Sequence, residues 1–186
     1  LADLSIALER VLGAEGGWVD DPGDSGGETY RGISRRWHPH WPGWVVIDAA
    51  RPLRHGQIVV EADRHVDRFY REHFWEKIGG DLIHSQLIAD ELLDTAINAG
   101  YVLAVQHLQT MLSVLGHGPS GHEVVADGSF GPRTLAALTR AMEAGEHRYV
   151  VKGLNVLQGA HYVSLALRRI KDRRFIRGWF SRVTFR

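Results

Sequence analysis

Residues 15–33 read E-G-G-W-V-D-D-P-G-D-S-G-G-E-T-Y-R-G-I. Six glycines and a proline in nineteen positions rule out a regular helix there. The chain must therefore carry a turn-rich or β-hairpin segment around residues 17–33. Just before it, Leu4, Leu8, Val11 and Leu12 recur at the spacing of an amphipathic helix, which is expected over residues 4–15. At about 100° per residue, Glu15 falls within roughly 20° of Leu4 on that helix. The expected Glu15 carboxyl faces the core side, where burial disfavours its charged form and equips it as a general acid. Gly16-Gly17 would then stop the helix. Asp20, Asp21, Asp24 and Glu28 follow on a segment that can fold back over its end. Two carboxyl groups in unlike surroundings are the equipment of glycoside hydrolysis.

Taken alone, a glutamate before Gly-Gly is more often a surface residue at a helix cap. The acidic loop also invites comparison with a calcium site. A twelve-residue loop begun at Asp20 puts Pro22 third and Arg31 twelfth, where ligands are needed, so no metal is expected. Thr29 read in isolation is a turn hydroxyl.

The rest of the chain reads mainly helical. Residues 34–44 form an aromatic, proline-rich loop whose Trp37, Trp41 and Trp44 can flank a glycan or enter the core. The spacing predicts helix over 52–77, through Ile58, Ala62, Val66, Phe69, Tyr70 and Phe74, and again over 86–99. In the second helix Leu92, Ala96 and Ala99 mark an apolar face, while Asp90, Asp94 and Asn98 mark a polar row. A further helix carries Val105, Leu108 and Leu112 with Gln106 and Gln109, and ends at Gly116. Residues 116–123 read as an insertion loop. Asp127-Gly128 then makes a turn, and Pro132 suits the first turn of a new helix. The last long helix is expected over about 146–171, with His161 on its apolar stripe.

Lys+Arg and Asp+Glu number 22 each, so no global basic field favours nucleic acid. With no cysteine, disulfides and thiolate metal sites are excluded. No apolar run reaches the length of a membrane span, and the amino end lacks the basic-then-apolar form of a signal peptide.

The run at 15–33 resembles the signature of glycoside hydrolase family 108, the N-acetylmuramidases of phage endolysins and bacterial secretion-activator proteins. Matching positions include Glu15, Gly16, Gly17, Asp21, Pro22, Asp24, Gly26, Gly27, Thr29, Gly32 and Ile33; Trp18 and Ser25 replace the commoner tyrosine and proline. Tyr70 and Trp75 meet the family's aromatic pair. Asp94, Asn98 and Gly100 meet a D-x-x-x-N-x-G pattern, residues 127–134 a D-G-x-x-G-P-x-T turn, and residues 178–183 a closing G-W-x-x-R-V. The resemblance implies a mainly α, lysozyme-like two-lobed helical fold. Residues 1–84 would form the muramidase part and 85–186 a helical peptidoglycan-binding part, packed as one body with the cleft between the lobes.

It further implies cleavage of the β-1,4 bond between N-acetylmuramic acid and N-acetylglucosamine. The family's catalytic glutamate falls on Glu15. Asp24 is assigned as stabiliser or base and Thr29 as orienting water, with Tyr30, Trp18, Asp94, Asn98 and Gln109 as saccharide contacts. Cofactors are not expected; the partner is the peptidoglycan glycan strand. Action in the periplasm or cell wall would require a holin, a secretion system or a trimmed leader. The alternatives are a lytic transglycosylase and a non-catalytic peptidoglycan-binding secretion accessory.

Overall fold

A computed structural model describes residues 1–13, 16–20, 27–119 and 123–184. The protein is mainly helical and lysozyme-like, with one small three-stranded antiparallel sheet. Its residues divide into two compact units, Leu4–His73 and Leu1–Asp3 with Phe74–Arg186.

The first unit opens with α1, Leu4–Leu12, which buries Leu4, Ala7 and Leu8. This helix is shorter than its periodicity suggests. Gly13 adopts φ +62°, and its N–H bonds the Glu9 carbonyl at 3.1 Å, so α1 ends before Gly16-Gly17. A left-handed glycine is the common helix terminator, and Gly13 comes first. Glu15, which the spacing places on this helix, lies outside the described residues.

Strands β1 (Trp18–Val19), β2 (Thr29–Tyr30) and β3 (Ile33–Ser34) pair in sequence order. Tyr30 faces Ile33 across a two-residue turn whose Arg31 and Gly32 take φ +45° and +77°. Positive φ at both central residues defines the hairpin turn whose twist matches that of its strands. Gly32 has a second reason to be glycine: a Cβ there would lie 2.9 Å from the Tyr70 hydroxyl. That hydroxyl donates to the Arg31 carbonyl at 2.7 Å and pins the turn from below.

Helix α2, Gly43–Ala49, and α3, Asp63–Tyr70, complete this unit. Residues 52–59 are not helical. Trp18 and the Gly56-Gln57 segment exchange backbone hydrogen bonds of 2.7 and 2.9 Å, making that stretch a partner of β1. Helix begins only at the 3₁₀ turn Val60–Ala62 and runs through α3 into a π turn, Arg71–Trp75. The apolar spacing at 58–74 is real, but Pro52 and Gly56 keep residues 52–59, the first eight of the expected helix, out of it.

The second unit is a helical bundle. Helix α4, Gln86–Ala99, starts at Ser85, whose hydroxyl accepts from the Ile88 N–H at 3.3 Å. Gly100, at φ +98°, turns the chain into α5, Tyr101–Val114. Then come α6 (Pro132–Glu143, with proline in the first turn), α7 (His147–Arg168) and α8 (Ile176–Phe180). Leu92, Leu93, Ala96, Leu108, Leu112, Leu138 and Leu154 form its core. His161 is half-buried, while His107 is buried 6.5 Å from it; burial first, then His161, brings His107 down to about 4 and keeps it neutral.

Candidate active site

The candidate catalytic pair, Glu15 and Asp24, lies outside the described residues. What the structure does define is the frame that carries them. The chain approaches Glu15 through Gly13 and leaves through Gly16, whose Cα is packed against Arg31, with an ideal Cβ 3.5 Å from Arg31 Cγ. Gly13 and Arg31 both border a depression of about 230 Å³ floored by Leu8 and Val66 and edged by Asp63 and Asp67. Arg31 pairs with Asp63 at 3.3 Å. Desolvation, and then the Asp63 charge, raise the Asp67 carboxyl above its ordinary range, while Arg31 and Arg71 oppose them. This acidic pair, four residues apart on α3, went unnoticed in the sequence because nothing in its spacing points to residues 13–31.

A second missed set anchors the far end of the catalytic segment. Glu28 accepts from Trp18 Nε1 at 2.6 Å and pairs with Arg35 at 2.7 Å and with Arg51. Arg35 also forks onto Asp48 at 2.6 and 3.0 Å, and Arg51 reaches the same carboxylate at 3.1 Å. The guanidinium of Arg35 lies 4.4 Å from the Trp44 ring centroid. Two acids and two arginines thus tie the strand before the loop, the strand after it and α2 into one network. Charge-assisted, bidentate bonds of this kind fix geometry more than they add stability. The Arg35 pair lowers the Asp48 carboxyl below its ordinary range. In sequence Glu28 appears only as one more acid of the loop, and its partners lie 7 to 23 residues away without a pattern.

Thr29 is half-buried on β2, opposite Val19 and Ser34. Trp18 is half-buried beside Glu28. Tyr30 does not offer a face for sugar: it is fully enclosed, stacked on Trp41 at 6.3 Å, and its hydroxyl bridges the Val59 N–H and C=O at 3.0 Å each. Trp41 and Trp44 are core residues, whereas Trp37 is 69% exposed. Trp37 stands at the rim of a cavity of about 430 Å³ walled by Trp41, Phe69, His38, His65 and His73. On α3 this cavity and the Gly13 depression use opposite faces, since their residues lie about half a turn apart.

The remaining sequence candidates belong to the second unit. Gln109 is enclosed and fully engaged. Its amide nitrogen donates to Asp127 (2.8 Å), the Ser129 carbonyl (3.0 Å) and Thr134 (3.1 Å), and its oxygen accepts from the Gly128 N–H at 2.9 Å. One side chain of α5 therefore holds the D-G-S-F-G-P-R-T turn, which explains the motif without a ligand. Asp94 accepts from Gln158 (2.6 Å), Arg182 (2.8 Å) and Asn98 (3.1 Å). Asn98 is exposed at the end of that row. Among the described residues no group of three or more His, Asp or Glu is placed to hold a metal ion.

A mainly helical body with a small sheet, entered by a glycine-rich acidic segment, is the architecture of a lysozyme-like glycoside hydrolase. Residues 8–100 match the family described as Glycosyl hydrolase 108, and the chain belongs to that family. Residues 103–184 match a second family, described as a "Predicted Peptidoglycan domain". Together they make the protein a glycoside hydrolase directed at peptidoglycan, and so at the cell wall. Among solved structures it is similar to Brucella abortus SagA, with TM-score 0.63 and 28% identity over 97% of this chain and 88% of that one. No curated protein matches the chain. Among the described residues no helix is long and apolar enough to cross a membrane.

Proposed function

We propose that the protein is an N-acetylmuramidase, hydrolysing the β-1,4 bond between N-acetylmuramic acid and N-acetylglucosamine. The observation that carries this reading is that the glycosyl hydrolase match, residues 8–100, includes the whole run from Glu15 to Ile33. Glu15 protonates the leaving glycosidic oxygen. Asp24 stabilises the oxocarbenium-like transition state or activates water, and Thr29, fixed on β2, orients that water. The hairpin turn and the Glu28 network hold the described flanks of the catalytic segment. Trp18 and Asn98 are proposed saccharide contacts; Asp94 positions Asn98 through its 3.1 Å hydrogen bond.

The test is digestion of purified peptidoglycan by wild type and Glu15→Gln, with products reduced by borohydride and weighed. Reduced muramic-acid ends from wild type, with a loss of at least about 10²-fold in the variant, are expected. Wild-type rates from Glu15→Gln would refute the assignment, and anhydro ends would make the enzyme a transglycosylase.

A further inference from the structure

Charge is distributed unevenly along this neutral chain. Residues 168–182 contain seven Lys or Arg and one acid, Asp172, leaving fifteen bases against twenty-one acids elsewhere. These fifteen residues leave the end of α7, pass through a 3₁₀ segment, Ile170–Phe175, and return as α8 and the turn that follows. The return is fixed on one row of α7. Trp179 lies 5.5 Å from the Tyr162 ring, Val183 packs at Gly159, and the Thr184 N–H donates to Asn155 at 2.6 Å.

Exposed apolar and exposed basic side chains alternate along this returned segment, with Phe175 also 6.2 Å from the Trp179 ring. Leu167, Ile170, Phe175 and Phe180 are 66%, 70%, 46% and 44% exposed. Val163 continues the apolar line along α7, about 75° around the helix from the row that receives the tail. Between these side chains stand Arg168, Lys171, Arg174 and Arg177, all exposed and pairing with no carboxylate among the described residues. Arg174 lies 4.6 Å from the Phe175 ring, so cation and aromatic ring occupy the same patch.

We propose that this surface docks on an anionic phospholipid bilayer, with the arginines and lysine at the headgroup phosphates and Phe175, Phe180, Ile170 and Leu167 in the acyl boundary. Charge complementarity selects an anionic partner. Four large exposed apolar groups select a bilayer over a soluble polyanion, which has no apolar phase to receive them. Such docking would hold a wall-directed hydrolase at the membrane side of its substrate. It is independent of the catalytic assignment.

Full-length protein is centrifuged with phosphatidylcholine vesicles, with and without roughly one-quarter phosphatidylglycerol, at rising salt. Binding only to the anionic vesicles, weakening with salt, is expected. The triple variant Lys171→Gln, Arg174→Gln, Arg177→Gln loses about five-fold per cation, or roughly 100-fold in all. The pair Phe175→Ser, Phe180→Ser weakens binding at least about 10-fold with the charges unchanged. Thermal unfolding confirms that each variant is folded. Equal binding to neutral vesicles, or binding to neither, overturns the proposal. A charge variant that weakens binding beside a serine pair that does not would make this a polyanion surface, and also overturns it.

Discussion

Exchanging Glu91 for glutamine should stabilise the protein, by an amount that grows as pH rises from about 5 to about 8. Glu91 lies on α4, 8% exposed, with Oε1 unpartnered among the described residues. The Asp94 charge, itself paired with Arg182, adds to the difficulty. Burial first, then Asp94, pushes Glu91 up to about 8, with Asn155 opposing and Asp90 reinforcing the shift. An unfolded glutamate ionises near 4.5, so between there and about 8 the native state holds the proton that the unfolded state has released. Stability must fall as pH rises through that window and level off above it. At about 1.4 kcal/mol per unit the upper figure is roughly 5 kcal/mol, and relaxation around the charged form reduces it to about 2–4 kcal/mol. Urea unfolding of wild type and Glu91→Gln in matched buffers reads the difference directly, because every other titrating group cancels. The two proteins should agree within about 1 kcal/mol at pH 5, and the variant should lead by about 2–4 kcal/mol at pH 8.5, or roughly 5–15 °C in Tm. A difference that stays constant across this range would mean that Glu91 is ionised in the native protein, and the burial argument would fail.

Two further substitutions probe the frame. Gly32→Ala must accept a left-handed backbone and displace the Tyr70 hydroxyl, whereas Gly56→Ala, at φ +76° with open space around it, accepts only the first. Losses of about 2–3 and about 1–2 kcal/mol are expected by chemical denaturation, and equal losses would dismiss the Tyr70 contact. Gln109→Leu removes four hydrogen bonds at one stroke and should cost about 2–4 kcal/mol in the same assay. A neutral leucine would show that the turn at 127–134 holds itself.

Sequence patterns revealed the elements whose ends are marked by a single strong signal. Helix α4 runs over 86–99 as its spacing predicts, because Ser85 caps it and Gly100 alone ends it. The end of α1 was misread where two terminators compete: Gly13 and Gly16-Gly17 are both plausible, and conformation decides for the first. At 52–59 an apolar spacing concealed a backbone partner for Trp18, a long-range pairing that leaves no periodic trace. The candidate site was legible as a stretch and illegible as a network. Arg35, Asp48 and Arg51 gain meaning only once α2 brings them to Glu28. Tyr30 and Gln109 were chosen for their chemistry, yet packing commits both to the interior, where a hydroxyl or amide serves the backbone.

The concentration of cations in residues 168–182 gives a molecule of zero formal charge a pronounced electrical polarity. Neighbouring copies in dilute buffer have no net repulsion to separate them, and the basic segment of one attracts the acids of another across a Debye length of about 30 Å at 0.01 M. Ordinary salt shortens that reach to about 8 Å. Salting-in near neutrality is therefore written into the distribution of charge, even though the total is nil.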